Sequence, residues 1–119
     1  MPLDLLYLFR YNNNMKEVVY YKTSNDKCPY LDWYNSLDKS VRLVIDRRID
    51  RIRLGNFGKH RKFDSLTEIK FVEGAGYRIY AYECNNVVIV FLTAGDKSRQ
   101  SKDIELAKEY LKEFNERYK

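Results

Sequence analysis

The chain has 119 residues, 45% of them apolar and 33% charged, with a net charge of +5. That length holds one domain with a core of its own, and the composition is that of a soluble globular protein, not a disordered one. No apolar run is long enough to span a bilayer. Two cysteines without CxxC spacing, Cys28 and Cys84, and a single histidine argue against a zinc site and for reduced thiols in a cytoplasmic protein.

The opening stretch MPLDLLYLF lacks a basic leader and a small-residue cleavage site, so it does not read as a signal peptide. Asn12, Asn13 and Asn14 mark a break. The domain is expected to begin at Met15, with residues 1–14 an extension of unknown role and 15–119 a single domain. Met15–Lys22 carries Val18, Val19, Tyr20 and Tyr21 in series and predicts a strand. Pro29 suits the first turn of a short helix over Pro29–Leu37, where Tyr30, Trp33, Tyr34 and Leu37 recur at helical spacing.

Asp38 is placed to cap a second helix, Lys39 to about Leu54. Val41, Val44, Ile45, Ile49 and Ile52 form its apolar stripe. Arg42, Arg47, Arg48, Arg51 and Arg53 read first as its solvent face. Gly55 suits the left-handed residue that ends it. From Lys39 to Lys70 there are ten Lys/Arg against four Asp/Glu, whereas the rest of the chain balances at −1. A focused positive excess favours a polyanionic partner.

Gly55–Lys62 reads as a loop. It lacks the GxxxxGK[ST] spacing of a Walker loop. Its basic run Lys59-His60-Arg61-Lys62 offers His60 or Lys62 as a proton carrier near neutral pH, with a plain exposed loop as the alternative. Three strands follow, Thr67–Val72, Tyr77–Glu83 and Val87–Thr93, separated by Gly- and Asn-containing breaks as in an antiparallel meander. A last helix is expected to be capped by Ser98 or Ser101 and to end near Arg117 or Tyr118. The fold class is α+β, a small antiparallel sheet with two N-terminal helices and one C-terminal helix gathered on one face.

Strand alternation places Arg78, Tyr80 and Tyr82 on one face and Tyr77, Ile79 and Ala81 on the other. Lys70 and Glu68 share a face of the preceding strand. Lys70 and Arg78 are therefore expected on the same open side, with Tyr80 and Tyr82 free to stack on bases.

The ordered series GNFG, a basic loop, Gly76-Tyr77-Arg78-Ile79-Tyr80, then Gly95-Asp96-Lys97, Gln100 and Asp103-Ile104 resembles the RelE/ParE toxin superfamily. More closely, it resembles its HigB-like, phage-derived addiction-module killer branch. The resemblance covers about Met15 to Phe114. It implies a compact sheet with two helices before it and one after. It implies the toxin of a type II toxin–antitoxin pair, one that cuts mRNA, free or on the ribosome, and is neutralised by a helix-turn-helix antitoxin. No cofactor, metal or membrane is implied. Two departures stand out: Glu68 occupies a position where RelE-type relatives carry another cation, and no catalytic tyrosine is visible near Asp103.

Metal-free RNA cleavage needs a base for the 2′-hydroxyl, cations for the phosphorane and an acid for the leaving oxygen. A well-placed donor to the developing charge is worth about 3 kcal/mol. On this reading Arg78 stabilises the phosphorane, Lys70 and Lys97 assist, and His60 or Lys62 carries the proton. Lys59, Arg61, Tyr80, Tyr82 and Arg99 hold RNA. Two competing expectations are a ParE-like toxin that poisons a topoisomerase without cutting nucleic acid, and an inactive relative that only binds an antitoxin.

Overall fold

The computed structural model describes residues 15–118, so the expected extension at 1–14 lies outside the described residues. Strand β1 (Glu17–Tyr20) leads to helices α1 (Pro29–Asn35) and α2 (Lys39–Arg53). Strands β2 (His60–Phe63), β3 (Leu66–Lys70), β4 (Arg78–Glu83) and β5 (Val88–Gly95) follow. A 3-10 turn, Lys97–Arg99, then runs into helix α3 (Gln100–Arg117). The five strands form one sheet in the order β1-β5-β4-β3-β2. The fold is α+β as expected, but the sheet is mixed, because β1 lies parallel to β5, Glu17 opposite Val88 through Tyr20 opposite Phe91.

The basic run read as a loop is in fact strand β2. It pairs antiparallel with β3 through a two-residue turn, Asp64-Ser65, whose φ angles are 49° and 67°. Positive φ at both central residues is the hairpin geometry that matches strand twist. Asp tolerates it by bonding locally, but Ser is a weak signal for it. The usual Asn-Gly or Asp-Gly cue is missing, which is why the strand was not legible.

The helices do not gather on one face. Ile45, Ile49 and Ile52 of α2, with Tyr30 of α1, pack on Ile69, Ile79, Ala81, Ile89 and Phe91 on one side of the sheet. Ala107 and Leu111 of α3 pack on Leu66, Tyr80, Val90 and Leu92 on the other. Many of the aromatics serve this core. The Tyr30 ring sits 4.7 Å from Tyr20 and 5.1 Å from Phe91. Gly55 ends α2 at φ 91°, as its position suggested. Asp38 stands at the N-cap of α2 but makes no side-chain capping bond there.

The solvent-face reading of the α2 arginines fails at Arg48, which is buried. Its Nε donates to Phe57 O at 2.8 Å and its second terminal nitrogen to Lys59 O at 2.7 Å. The guanidinium lies 4.8 Å from the Phe71 ring centre. Burial first, then the nearby Arg51 charge, lowers its pKa below the ordinary arginine value. Arg48 ties the Gly55–Lys59 loop to the body of the domain.

A β-bulge interrupts β5. Tyr80 pairs with Thr93 and Ala81 with Phe91, which leaves Leu92 without a partner on β4. Before the bulge Ile89 and Phe91 face α2, and after it Ala94 does. The alternation is thereby reset, and Gly95 turns toward α3. This places the end of β5 beside the candidate site.

Candidate functional site

Register brings the predicted cations together. Lys70 pairs with Arg78 across β3–β4, Glu68 with Tyr80, and Arg61 with Glu68 across β2–β3. Cross-strand partners share a face, so Arg61, Glu68, Lys70, Arg78 and Tyr80 all point to the α3 side. At their centre is Glu68, with 0% of its surface exposed. Its Oε1 accepts from Arg61 Nε at 2.5 Å and lies 3.9 Å from Lys70 Nζ. Its Oε2 accepts from Gln100 Nε2 at 3.0 Å and lies 3.7 Å from Arg78 Nε.

Burial alone would push the Glu68 carboxyl up. The hydrogen bonds from Arg61 and Gln100, with the Arg61 charge, outweigh burial and hold its pKa below the ordinary carboxylate value. Glu68 therefore stays ionised and serves as a shared counter-ion. The residue that departs from a purely basic cluster is the one that assembles it.

Arg78 is largely enclosed, its side chain 12% exposed. One terminal nitrogen donates to Gly76 O at 2.8 Å, and its Nε makes no hydrogen bond among the described residues. Gly76 has φ 71°, and a Cβ there would lie 3.3 Å from Lys97 Cβ and 3.5 Å from the Arg78 terminal nitrogen. The glycine thus lets Lys97 and Arg78 stand side by side. Lys97 is held by its backbone N–H, which donates to Ala75 O at 3.2 Å. The side chain of Asp96 accepts from the Ser98 N–H at 2.9 Å and so caps the 3-10 turn. The last helix has Arg99, not Ser98 or Ser101, at its N-cap, and no side-chain capping bond there.

Asp103, in the first turn of α3, is 3% exposed. Its Oδ1 lies 3.7 Å from Arg99 Nε, and its Oδ2 has no hydrogen-bond partner among the described residues. Burial first, and Asp96 after it, raise its pKa above the ordinary aspartate value against the pull of Arg99. The Tyr80 hydroxyl is likewise buried, close to the Glu68 carboxylate but without a well-aligned hydrogen bond among the described residues. Burial and the neighbouring Glu68 charge hold that phenol above its ordinary pKa.

Several expected site residues stand elsewhere. His60 pairs with Ile69 and Lys62 with Thr67, so both point to the α2 side of the sheet, away from Arg78 and Lys70. His60 Nδ1 lies 2.7 Å from Gly58 O, and its ring lies 5.3 Å from that of Phe57. Lys62 Nζ is 3.0 Å from Glu83 Oε2. In a strand, alternate residues oppose each other, and this removes both as proton carriers for a site at Arg78.

Tyr80 is 0% exposed beneath α3 and cannot stack on a base. Tyr82 is half-buried with its ring edge-on to Phe114 at 6.2 Å. Lys59 is exposed, and its carbonyl accepts from Lys70 N–H at 2.9 Å. Arg61 and Arg99 sit at the site with about half of each side chain exposed, 49% and 52%.

Among the described residues no group of three or more His, Cys, Asp or Glu side chains is placed to hold a metal ion, and no helix is long and apolar enough to cross a membrane. Cys28 and Cys84 are free thiols.

No family model matches the chain, and no solved structure matches it. Over 78 residues it is 43% identical to an uncharacterized protein of Haemophilus influenzae, a match that covers 64% of this chain and 79% of that protein. The chain belongs to the same family as that Haemophilus influenzae protein.

Proposed function

We propose that the chain is the toxin of a type II toxin–antitoxin pair. On this reading it is a cytoplasmic, metal-independent endoribonuclease that cuts mRNA and is neutralised by a cognate helix-turn-helix antitoxin. The observation that carries the reading is the convergence of Arg61, Lys70, Arg78, Lys97 and Arg99 on one end of one face of the sheet, fastened by the buried Glu68. The resemblance of GYRIY and GDK…Q…DI to the RelE/ParE superfamily adds the reaction class.

Cations in this arrangement suit phosphoryl chemistry. Arg78 is nearly enclosed and its guanidinium is fixed by Gly76 and Glu68. A pre-set donor in a dry setting stabilises the charge that develops on a pentavalent phosphorus more than the charge already on the substrate. Lys70, beside it across the strands, neutralises a second phosphate oxygen. Lys97, whose stem lies across Gly76 from Arg78, protonates the departing 5′-oxygen on this reading. Arg61 and Arg99, half-exposed at the rim, hold the flanking backbone phosphates. The protein's part is positioning and charge, since the nucleophile is the RNA's own 2′-oxygen.

The test is cleavage of a defined mRNA by the purified chain, with and without ribosomes and in the presence of a chelator. Fragments ending in a 2′,3′-cyclic phosphate and a 5′-hydroxyl are expected, and they should fall about 100-fold or more with Arg78→Ala. Growth arrest with intact transcripts and failing supercoiling would overturn this reading in favour of a topoisomerase poison.

A further inference from the structure

From the packing of Asp103 against Gly95 we infer that Asp103 is the proton acceptor of the cleavage step, its Oδ2 kept free for the 2′-hydroxyl of the RNA. This rests on the reading of the chain as an RNA-cleaving toxin, and it fills the place left when His60 and Lys62 proved to face the other way.

The packing is unusual for a structural carboxylate. A Cβ built on Gly95 would lie 2.0 Å from Asp103 Oδ2 and 3.0 Å from its carboxyl carbon. The side chain therefore rests on bare strand backbone, in space that any residue other than glycine would fill. An acid in the first turn of a helix is favoured by the helix dipole, but an exposed one would serve that purpose without burial. Here the carboxylate is 3% exposed, Arg99 Nε at 3.7 Å from Oδ1 is beyond hydrogen-bond range, and Oδ2 has no donor among the described residues. A buried carboxylate oxygen without a donor is costly to keep. Such a cost, at a cationic cluster, is the mark of a group held for chemistry.

Its place fits the reaction. Gly95 pairs directly with Arg78, and Gln100, one helical turn before Asp103, bonds Glu68. The two buried carboxylates thus lie at neighbouring places on the same face, Glu68 against Arg61, Lys70 and Arg78 and Asp103 against Arg99, and their surroundings drive them apart. Glu68 is bonded on both oxygens and held toward ionisation, whereas Asp103 is held toward protonation. Divergent neighbours of this kind separate an anchoring carboxylate from a proton-transferring one. The groups that act on Asp103 are Arg99 and Lys102 on its own segment, Asp96 before it, and Tyr80 on the sheet beneath. Arg99, half-exposed, lies beside Oδ1, and on this proposal a backbone phosphate draws it outward and opens the carboxylate to the 2′-hydroxyl.

The step balances without a co-reactant. The 2′-hydroxyl gives its proton to Asp103 Oδ2 as the bond from O2′ to phosphorus forms. The bond from phosphorus to O5′ breaks, and the leaving oxygen takes a proton from the Lys97 ammonium. The products are a 2′,3′-cyclic phosphate and a 5′-hydroxyl. Solvent then returns the proton from Asp103 to Lys97.

The experiment compares the full chain with Asp103→Asn and Gly95→Ala. Single-turnover cleavage of an mRNA is followed from pH 5 to 9, with and without ribosomes, alongside melting temperature and RNA affinity. Asp103→Asn is expected to melt at the same or a higher temperature, to bind RNA within about 3-fold of the wild type, and to cut about 100- to 1,000-fold more slowly. The acidic limb of its rate profile should vanish. Gly95→Ala keeps the carboxylate but displaces it, and should cut about 100-fold more slowly while retaining that limb. A purely structural role would lower the melting temperature and the rate together, and that result overturns the inference. Wild-type cleavage by Asp103→Asn, or by Gly95→Ala should the first variant fail to fold, overturns it as well. A wild-type chain that leaves every RNA whole overturns the nuclease reading itself, so the two failures are distinguishable.

Discussion

Arg61 and Glu68 face each other across the β2–β3 pair, with Nε and Oε1 2.5 Å apart, and the carboxylate is closed off from solvent while the arginine is half-exposed. The pair is therefore asymmetric: removing the carboxylate leaves several partly buried cations without a counter-ion. Glu68→Gln is expected to lower stability by about 3 kcal/mol at pH 7, the cost typical of breaking a buried ion pair on one side. Urea denaturation measures it.

The pH dependence of that loss has a definite sign. The folded-state pKa of Glu68 lies below its ordinary value of 4.5, so the carboxylate's contribution is complete above that value and disappears as pH falls through the folded pKa. The stability difference between wild type and Glu68→Gln should accordingly shrink toward zero in acid. A difference that stays constant down to pH 2 would show that the charge of Glu68 is not what the cations respond to.

Tyr80 gives a prediction of opposite sign. Its hydroxyl is buried close to the Glu68 carboxylate but makes no well-aligned hydrogen bond among the described residues. Tyr80→Phe removes a poorly satisfied polar group and keeps the ring, so it should be neutral or stabilising by up to about 1 kcal/mol, and a loss above about 1 kcal/mol would show that the hydroxyl does bond Glu68. Cleavage should stay within about 3-fold of wild type, since a buried ring does not stack on RNA. Thermal melting and the RNA assay read the two effects.

On the proposed reading, the face on which a cation lies decides whether it acts in cleavage. Arg78→Ala should cost about 100-fold or more in cleavage, whereas His60→Ala, on the opposite side of the sheet, should leave the rate within about 3-fold. A reversed order would move the site to the α2 face.

Gly58 sits at φ 65°, and a Cβ there would meet Arg48 Nε at 2.6 Å and Cζ at 2.8 Å. Gly58→Ala should therefore cost about 3 kcal/mol, combining left-handed backbone strain with lost Arg48 hydrogen bonds. Arg48→Ala should cost a similar amount, and the double variant should cost less than the sum, because both act on one contact. Equilibrium denaturation of the three variants tests this.

What was legible in the sequence followed from periodicity. The α2 stripe of Ile45, Ile49 and Ile52, the strand parity of Lys70 with Arg78, and the terminating Gly55 all depend on local spacing, and all stand as read. What was not legible depended on contacts distant in sequence or on a weak turn signal. Asp64-Ser65 hides a hairpin, and with it the parity that sends His60 away from Arg61. Nothing local in Tyr80 announces that α3 will cover it, since that face reads as open until the last helix is placed. Glu68 looked like a flaw in a basic cluster because its role is defined by Arg61, Arg78 and Gln100, which lie on three other elements. A lone acid between Thr67 and Ile69 in a strand that is otherwise inward-facing was the signal available.

The unpaired Leu92 has a consequence for how this chain can change length. Leu92 and its neighbour Thr93 both turn to the α3 side, and this is what leaves Gly95 opposite Arg78 and against Asp103. Drawing Leu92 into register opposite Tyr80 would instead set Ala94 opposite Arg78, with its methyl group in the space that Asp103 occupies, and would send Gly95 to the α2 side. Deleting Leu92 restores plain alternation with Thr93 still opposite Tyr80 and Gly95 still opposite Arg78, so the Asp103 seat should survive that deletion. Deleting Thr93 while Leu92 takes its place opposite Tyr80 should leave the seat intact for the same reason.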